Sequence, residues 1–117
     1  MAPSAAPPVF TFELEECPDG VAIVRCHGKL VSGVTDALIS GVRPLFSAHK
    51  RVVLDLSDLQ HTDSMGMGAL VRLYVAAKSA GCSLELAHLS KQIRHLLGIT
   101  HLLDVFVIVG ESGVKWM

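Results

Sequence analysis

The sequence predicts a single-domain α/β sandwich: four to five strands in a mixed, mostly parallel sheet, with helices packed on it. Three observations carry this. Short apolar runs alternate with stretches of helical periodicity in the order β-β-α-β-α-β-α-β, and strands joined through helices call for right-handed crossovers. The chain has 117 residues, the size of one domain. Half of those residues are apolar and 18% are charged, which is enough to build a core and too little charge for a disordered chain.

Each element has a local reason. Pro3, Pro7 and Pro8 disfavour regular structure, so residues 1–8 read as a disordered tail and residues 9–117 as the domain. Residues 9–14 alternate and are rich in aromatic and β-branched types, as a strand requires. Cys17-Pro18-Asp19-Gly20 is a turn by its chemistry, and it joins the first strand to a second at 21–27 as a hairpin. Val34, Ala37, Leu38, Val42 and Leu45 recur at helical spacing, predicting a helix over 33–48. Pro44 must kink that helix or start a second one. Residues 51–56 are a short buried strand, and 57–64 a loop. Residues 65–80 predict a helix that is apolar almost all round and therefore buried on most of its surface, stopped by Gly81 as a left-handed cap. A strand at 84–87, a helix at 91–97 capped by Ser90 and ended near Gly98, and a strand at 105–109 complete the order.

Composition excludes several functions. Ten basic residues against eleven acidic ones leave a formal net charge of −1, with no basic excess to hold a nucleic acid. The longest apolar stretch, 66–77, is broken by Arg72 and falls short of the roughly 20 residues that span a bilayer, so no membrane insertion is expected. The first ten residues lack the basic flank and apolar run of a secretory signal. Cys17, Cys26 and Cys82 are odd in number and form no Cys-x-x-Cys, which argues against a disulfide framework or zinc knuckle and for the reducing cytosol, a cytoplasmic localisation. The six histidines are scattered over different elements, so no metal is expected.

The segment with chemistry in it is His61-Thr62-Asp63-Ser64-Met65-Gly66-Met67-Gly68, between a buried strand and a helix. Loops at the carboxyl ends of parallel strands are where ligands and reactive groups gather. A helix start has unpaired N–H groups and a positive dipole end. Asp63 or Ser64 can supply the capping oxygen, and Gly66 and Gly68 leave room for a close approach. A phosphate on Ser64 would add a charge of about −1.5 to −2 beside free donors. The fold should tolerate it, whereas a docked partner would meet an unpaired dianion. Chemistry alone favours plain capping over a switch.

Other readings of this segment are weaker. His61, Asp63 and Ser64 supply the members of a hydrolase triad, but they are close together in sequence and there is no Gly-x-Ser-x-Gly elbow. Gly66 and Gly68 lack the Lys-Ser/Thr end of a phosphate-binding loop. No catalytic residue and no cofactor are expected.

At this point the sequence resembles a known family. Val52-Val53-Leu54-Asp55-Leu56-Ser57 followed by Thr62-Asp63-Ser64-Met65-Gly66-Met67-Gly68-Ala69-Leu70 looks like the signature of STAS domains, the sulfate-transporter and anti-sigma-factor-antagonist domains. The strand Cys82-Ser83-Leu84-Glu85-Leu86 and the run from Ser90 to Leu102, with its leucine pair, agree, and the similarity covers residues 9–109. The resemblance implies a STAS-like sandwich and a non-enzymatic role. Stand-alone members are typically anti-sigma-factor antagonists that bind, when unphosphorylated, an anti-sigma factor that is also a serine kinase. That binding releases a sigma factor; phosphorylation ends it and a phosphatase restores it. The modified serine maps to Ser64, with Asp63 positioning its hydroxyl, and the partner-binding surface maps to Thr62, Asp63, Met65, Gly66, Met67 and Gly68.

Two departures stand out. Met65 replaces a second Ser or Thr, leaving Ser64 the acceptor within the motif, with Thr62 nearby. Gly28-Lys29-Leu30-Val31 stands where the family commonly has Gly-Glu-Leu-Asp, so both acidic positions near the partner surface are lost. The alternative is a non-switching adaptor of a transporter ATPase or signalling complex, docking through Met65, Met67, Leu70 and Val71. A weak homodimer would need an exposed apolar patch.

Overall fold

β1 (Phe10–Cys17) and β2 (Val21–Leu30) form the hairpin that the Pro-Asp-Gly turn predicts, with Phe12 opposite Cys26 and Cys17 opposite Val21. The computed structural model describes residues 9–109, so the expected tail at 1–8 and residues 110–117 of the domain lie outside the described residues. The chain continues through α1 (Thr35–Val42), β3 (Arg51–Thr62), α2 (Ser64–Ser79), β4 (Ser83–Ala87), α3 (Lys91–Ile99) and β5 (Val107–Val109). The five strands lie side by side in chain order. The first pair is antiparallel, and the remaining three are parallel, each joined through a helix. This is the mixed, mostly parallel α/β sandwich expected.

Strand alternation sorts side chains onto two faces. Val24, Leu54 and Leu86 stand in register across β2, β3 and β4, and all are buried. They share one core with Leu38 and Val42 of α1, Leu70 and Leu73 of α2, and Ile93 and Leu97 of α3. All three helices therefore cover the same sheet face. Each such side chain contributes about 1.5–3 kcal/mol by leaving water.

The opposite face has a smaller apolar cluster of Ile23, Val53 and Ala87. Charged ladders flank it. Arg25 pairs with Glu15 on β1 and lies 3.9 Å from Asp55 on β3. Arg51 reaches Glu85 at 2.7 Å. Asp55 and Glu85 are both buried, and these arginines supply the counter-charge that burial demands. His27 sits between two carboxylates, 2.6 Å from Asp58 and 3.0 Å from Glu13.

The structure corrects the sequence reading in some places and, at Pro44, decides between its two alternatives. β3 continues to Thr62 where a loop was expected after residue 56, because β2 extends beside it to Leu30. Register shifts around His27 and Gly28 keep the two paired, and Leu59 and Thr62 turn inward and are buried. Gly28 is suited to this bend: its φ is +95°, and a Cβ there would collide with the Val9 carbonyl. Pro44 resolves the long first helix into α1 and a separate 3₁₀ turn, Arg43–Ser47. α2 buries one face only, through Gly66, Ala69, Leu70, Leu73 and Ala77, while Met65 and Val75 are each 57% exposed. α3 runs through Gly98 to Ile99, and β5 begins at Val107, two residues later than expected. Gly81, at φ +74°, follows α2 in the left-handed conformation as read.

Hydrogen bonds that the His27 ring N–H groups donate to Asp58 first, and to Glu13 second, raise its pKa above the ordinary value. A raised folded-state pKa stabilises the protein below the unfolded value near 6.5, and that contribution fades as pH rises through the folded value. His27→Gln should therefore cost more at about pH 6 than at about pH 8.5, by a few tenths of a kcal/mol on the scale of exposed pairs. Urea unfolding of both proteins at the two pH values measures this; an equal cost at both would remove His27 from the account.

Candidate functional site at the mouth of α2

The end of β3 and the start of α2 are held against the end of β2 by a close-fitting set of contacts. The Thr62 side chain is 1% exposed, and its hydroxyl donates to the Leu30 carbonyl at 2.7 Å. The Asp63 N–H also points to that carbonyl, at 3.4 Å. Gly66 lies directly over it: a Cβ would overlap both the Leu30 oxygen and the Thr62 hydroxyl. Gly66 therefore meets the expected close approach, whereas a Cβ at Gly68 would find open space. The second glycine has no packing role.

Asp63 is the N-cap of α2. Its Oδ1 accepts the Gly66 N–H at 2.8 Å, and its Oδ2 accepts the Ser32 N–H at 3.0 Å. One carboxylate thus caps the helix and fastens the segment between β2 and α1 to it, across a separation of 31 residues. The Ser32 N–H first, and the Gly66 N–H second, hold the Asp63 pKa below the usual carboxylate range. By linkage this clasp contributes above that range and is lost as pH falls through the depressed value.

With Asp63 as cap, Ser64 becomes the first residue of the helix. It is exposed, and its hydroxyl has no hydrogen-bond partner among the described residues. Met65 and Gly68 are exposed beside it, Asp63 and Met67 are half-buried, and Thr62 and Gly66 are buried. Of the residues that the sequence nominates for partner contact, Thr62 and Gly66 shape the site from beneath, Asp63 and Met67 are partly covered, and Met65 and Gly68 present themselves to solvent beside Ser64. The Thr62 hydroxyl, committed to Leu30, is inaccessible as an alternative acceptor.

The triad arrangement is not formed. His61 faces Gln92 through its Nδ1, at 3.3 Å, and both Asp63 oxygens are taken by backbone N–H groups. Neither prepares Ser64 as a nucleophile. Among the described residues there is no cluster of metal-ligating side chains, and no helix long and apolar enough to cross a membrane.

Several residues of the site escape sequence reasoning. Ser32 acts through its backbone N–H, and Leu30 through its carbonyl, so side-chain identity signals neither. α3 reaches the rim through Gln92 and through Thr100, just past its end, whose hydroxyl lies 3.7 Å from the Met67 sulfur. The neighbouring Ile99 is 61% exposed. Lys29 is also exposed, and pairs in register with His61.

Among the described residues a five-stranded mixed sheet carries three helices on one face, with Ser64 opening the Asp63-capped helix at the carboxyl end of the central strand: an α/β sandwich domain. The STAS domain profile matches residues 15–113, and the chain belongs to the STAS family. Three solved structures share the fold. An anti-sigma factor antagonist from Mycobacterium paratuberculosis is 21% identical, with 94% of this chain and 92% of that one covered at a TM-score of 0.77. The Bacillus cell fate determinant SpoIIAA in its phosphorylated form is 16% identical, covering 86% and 93% at 0.67. A sulfate transporter family protein from Wolinella succinogenes is 22% identical, covering 80% of each chain at 0.70.

Gly66→Ala should destabilise the domain by about 1–3 kcal/mol, the usual range for overpacking. Thermal unfolding checks it against Gly68→Ala, which has space for its methyl group and should cost no stability. Equal losses at both positions would contradict the close approach at Leu30.

Proposed function

We propose that this chain is an anti-sigma-factor antagonist whose Ser64 is the phosphorylation switch. The observation that carries the reading is the exposed Ser64 hydroxyl, without a hydrogen-bond partner among the described residues, at the first turn of a helix whose cap is supplied by its neighbour. In this reading the unphosphorylated domain binds a cytoplasmic anti-sigma factor that is also a serine kinase, and so frees a sigma factor. ATP-dependent phosphorylation of Ser64 breaks the complex, and a phosphatase restores it. The domain is a substrate and not a catalyst. The resemblance of its Asp-Ser-x-Gly-x-Gly segment to the STAS signature supports this, as does the fold shared with an anti-sigma factor antagonist and with a phosphorylated relative.

The local chemistry is consistent. The phosphate would stand at the positive end of α2, close to N–H groups that lack an intrahelical partner. Asp63 keeps its carboxylate turned onto the Ser32 and Gly66 N–H groups, so its role is to hold the hydroxyl's platform in shape. Met65 and Gly68 form the contact surface in which a new dianion would be most costly. Lys29 and Val31 make this surface less acidic than the family's usual loop, which suits a partner of different charge from the common one.

An adaptor role on a transporter ATPase is the second reading, supported by the sulfate transporter relative and by the exposure of Met65. The two separate in a kinase assay. Ser64→Ala should still bind the kinase and take up no phosphate, while Ser64→Asp should bind at least about tenfold more weakly with unchanged thermal stability. Phosphate entering Ser64→Ala in equal yield would overturn the switch. A stable complex that leaves Ser64 unmodified in ATP would favour the adaptor.

A further inference from the structure

A groove of about 630 Å³ runs between α1 with its following 3₁₀ turn and the second half of α2. It is separate from the Ser64 site: Val75, midway along it, lies eleven residues further down α2, about 16 Å of helix. Its walls are apolar, from Ile39, Phe46, Val71 and Val75, and two arginines, Arg43 and Arg72, stand on opposite sides. Phe46 is buried and Val75 is exposed, so the surface grades from core to solvent.

The two arginines are the informative feature. Two other guanidinium groups of the fold are neutralised: Arg25 has Glu15 and Asp55, and Arg51 has Glu85. Neither Arg43 nor Arg72 has an ion-pair partner among the described residues. The same groove therefore combines uncovered apolar area with two uncompensated cations, and no acidic residue lines it. A guanidinium recognises a carboxylate through two parallel hydrogen bonds, and the Ser79 hydroxyl on the lining adds a further donor, whereas the Ser47 hydroxyl donates to the Pro44 carbonyl.

We propose that this groove binds a free alkyl carboxylate of medium to long chain, its head between Arg43 and Arg72 and its tail along Ile39, Phe46, Val71 and Val75. The volume falls within the usual range of small-molecule sites, about 300–1,000 Å³. The assignment is independent of the Ser64 reading, because no residue of the α2 mouth lines the groove.

The test uses the full chain, isotope-labelled for NMR, titrated with octanoate, decanoate and dodecanoate below their micelle concentrations. Amide shifts should concentrate at Ile39, Arg43, Phe46, Val71 and Val75, and affinity should rise about fourfold per added methylene, the factor that a buried CH₂ confers. Dodecanol should bind at least about tenfold more weakly, and Arg43→Gln with Arg72→Gln should erase that difference while leaving thermal unfolding unchanged, since both side chains are exposed. Val75→Trp, which fills the groove from its open side, should abolish the shifts. Failure of dodecanoate to bind, equal binding of alcohol and carboxylate, or shifts centred on Ser64 would each overturn the proposal. Preference for anionic phospholipid vesicles over the free acid would likewise overturn it, in favour of a membrane surface.

Discussion

The structure around the candidate site depends on one close contact, where the first turn of α2 rests on the Leu30 carbonyl at the end of β2. That oxygen receives the Thr62 hydroxyl and faces the Asp63 N–H, and only a residue without a side chain fits above it. Gly66 meets this requirement. Its presence lets Asp63 turn its carboxylate back onto the Gly66 and Ser32 N–H groups, and that in turn leaves Ser64 facing outward. The exposure of the serine follows from how everything next to it is tied down.

This arrangement separates two demands that would otherwise conflict. A modifiable serine must be accessible, yet the helix start that carries it must be rigid enough to present a defined surface. Here rigidity comes from backbone groups and buried side chains on β2, β3 and α2, none of which needs the Ser64 hydroxyl. A phosphate on that hydroxyl would disturb no hydrogen bond among the described residues. On the proposed function it would alter chiefly the charge presented beside Met65 and Gly68, and the one fold would serve both states of the switch. The flat side of the sheet contributes differently: its ladders around Arg25, His27 and Arg51 balance the carboxylates that strand alternation turns away from the helices.

Much of this was legible in the sequence. The element order, the hairpin at Pro18-Asp19-Gly20, the Ser90 cap of α3 and a cap of α2 at Asp63 or Ser64 all rest on interactions local in the chain, and local signals report them well; the structure decides for Asp63. What escaped was non-local. β3 runs on to Thr62 because β2 runs beside it, and 57–62 on its own reads as polar loop. α2 looked buried all round because Met65 and Val75 are apolar, but one helix cannot place every face against a sheet. Gly66 and Gly68 are alike in sequence, and only the carbonyl from 36 residues earlier tells them apart. The role of Ser32 is carried by its backbone N–H, which every residue but proline possesses.

The state of Ser64 in the cell decides whether this helix mouth is a switch. Trypsin releases residues 52–72 as one peptide, which contains both Thr62 and Ser64. Phosphopeptide mass spectrometry of the native protein should find a phosphate localised to Ser64 in the fraction free of the proposed kinase, and none on the buried Thr62. A peptide that stays unmodified, or one phosphorylated on Thr62 instead, would contradict the switch.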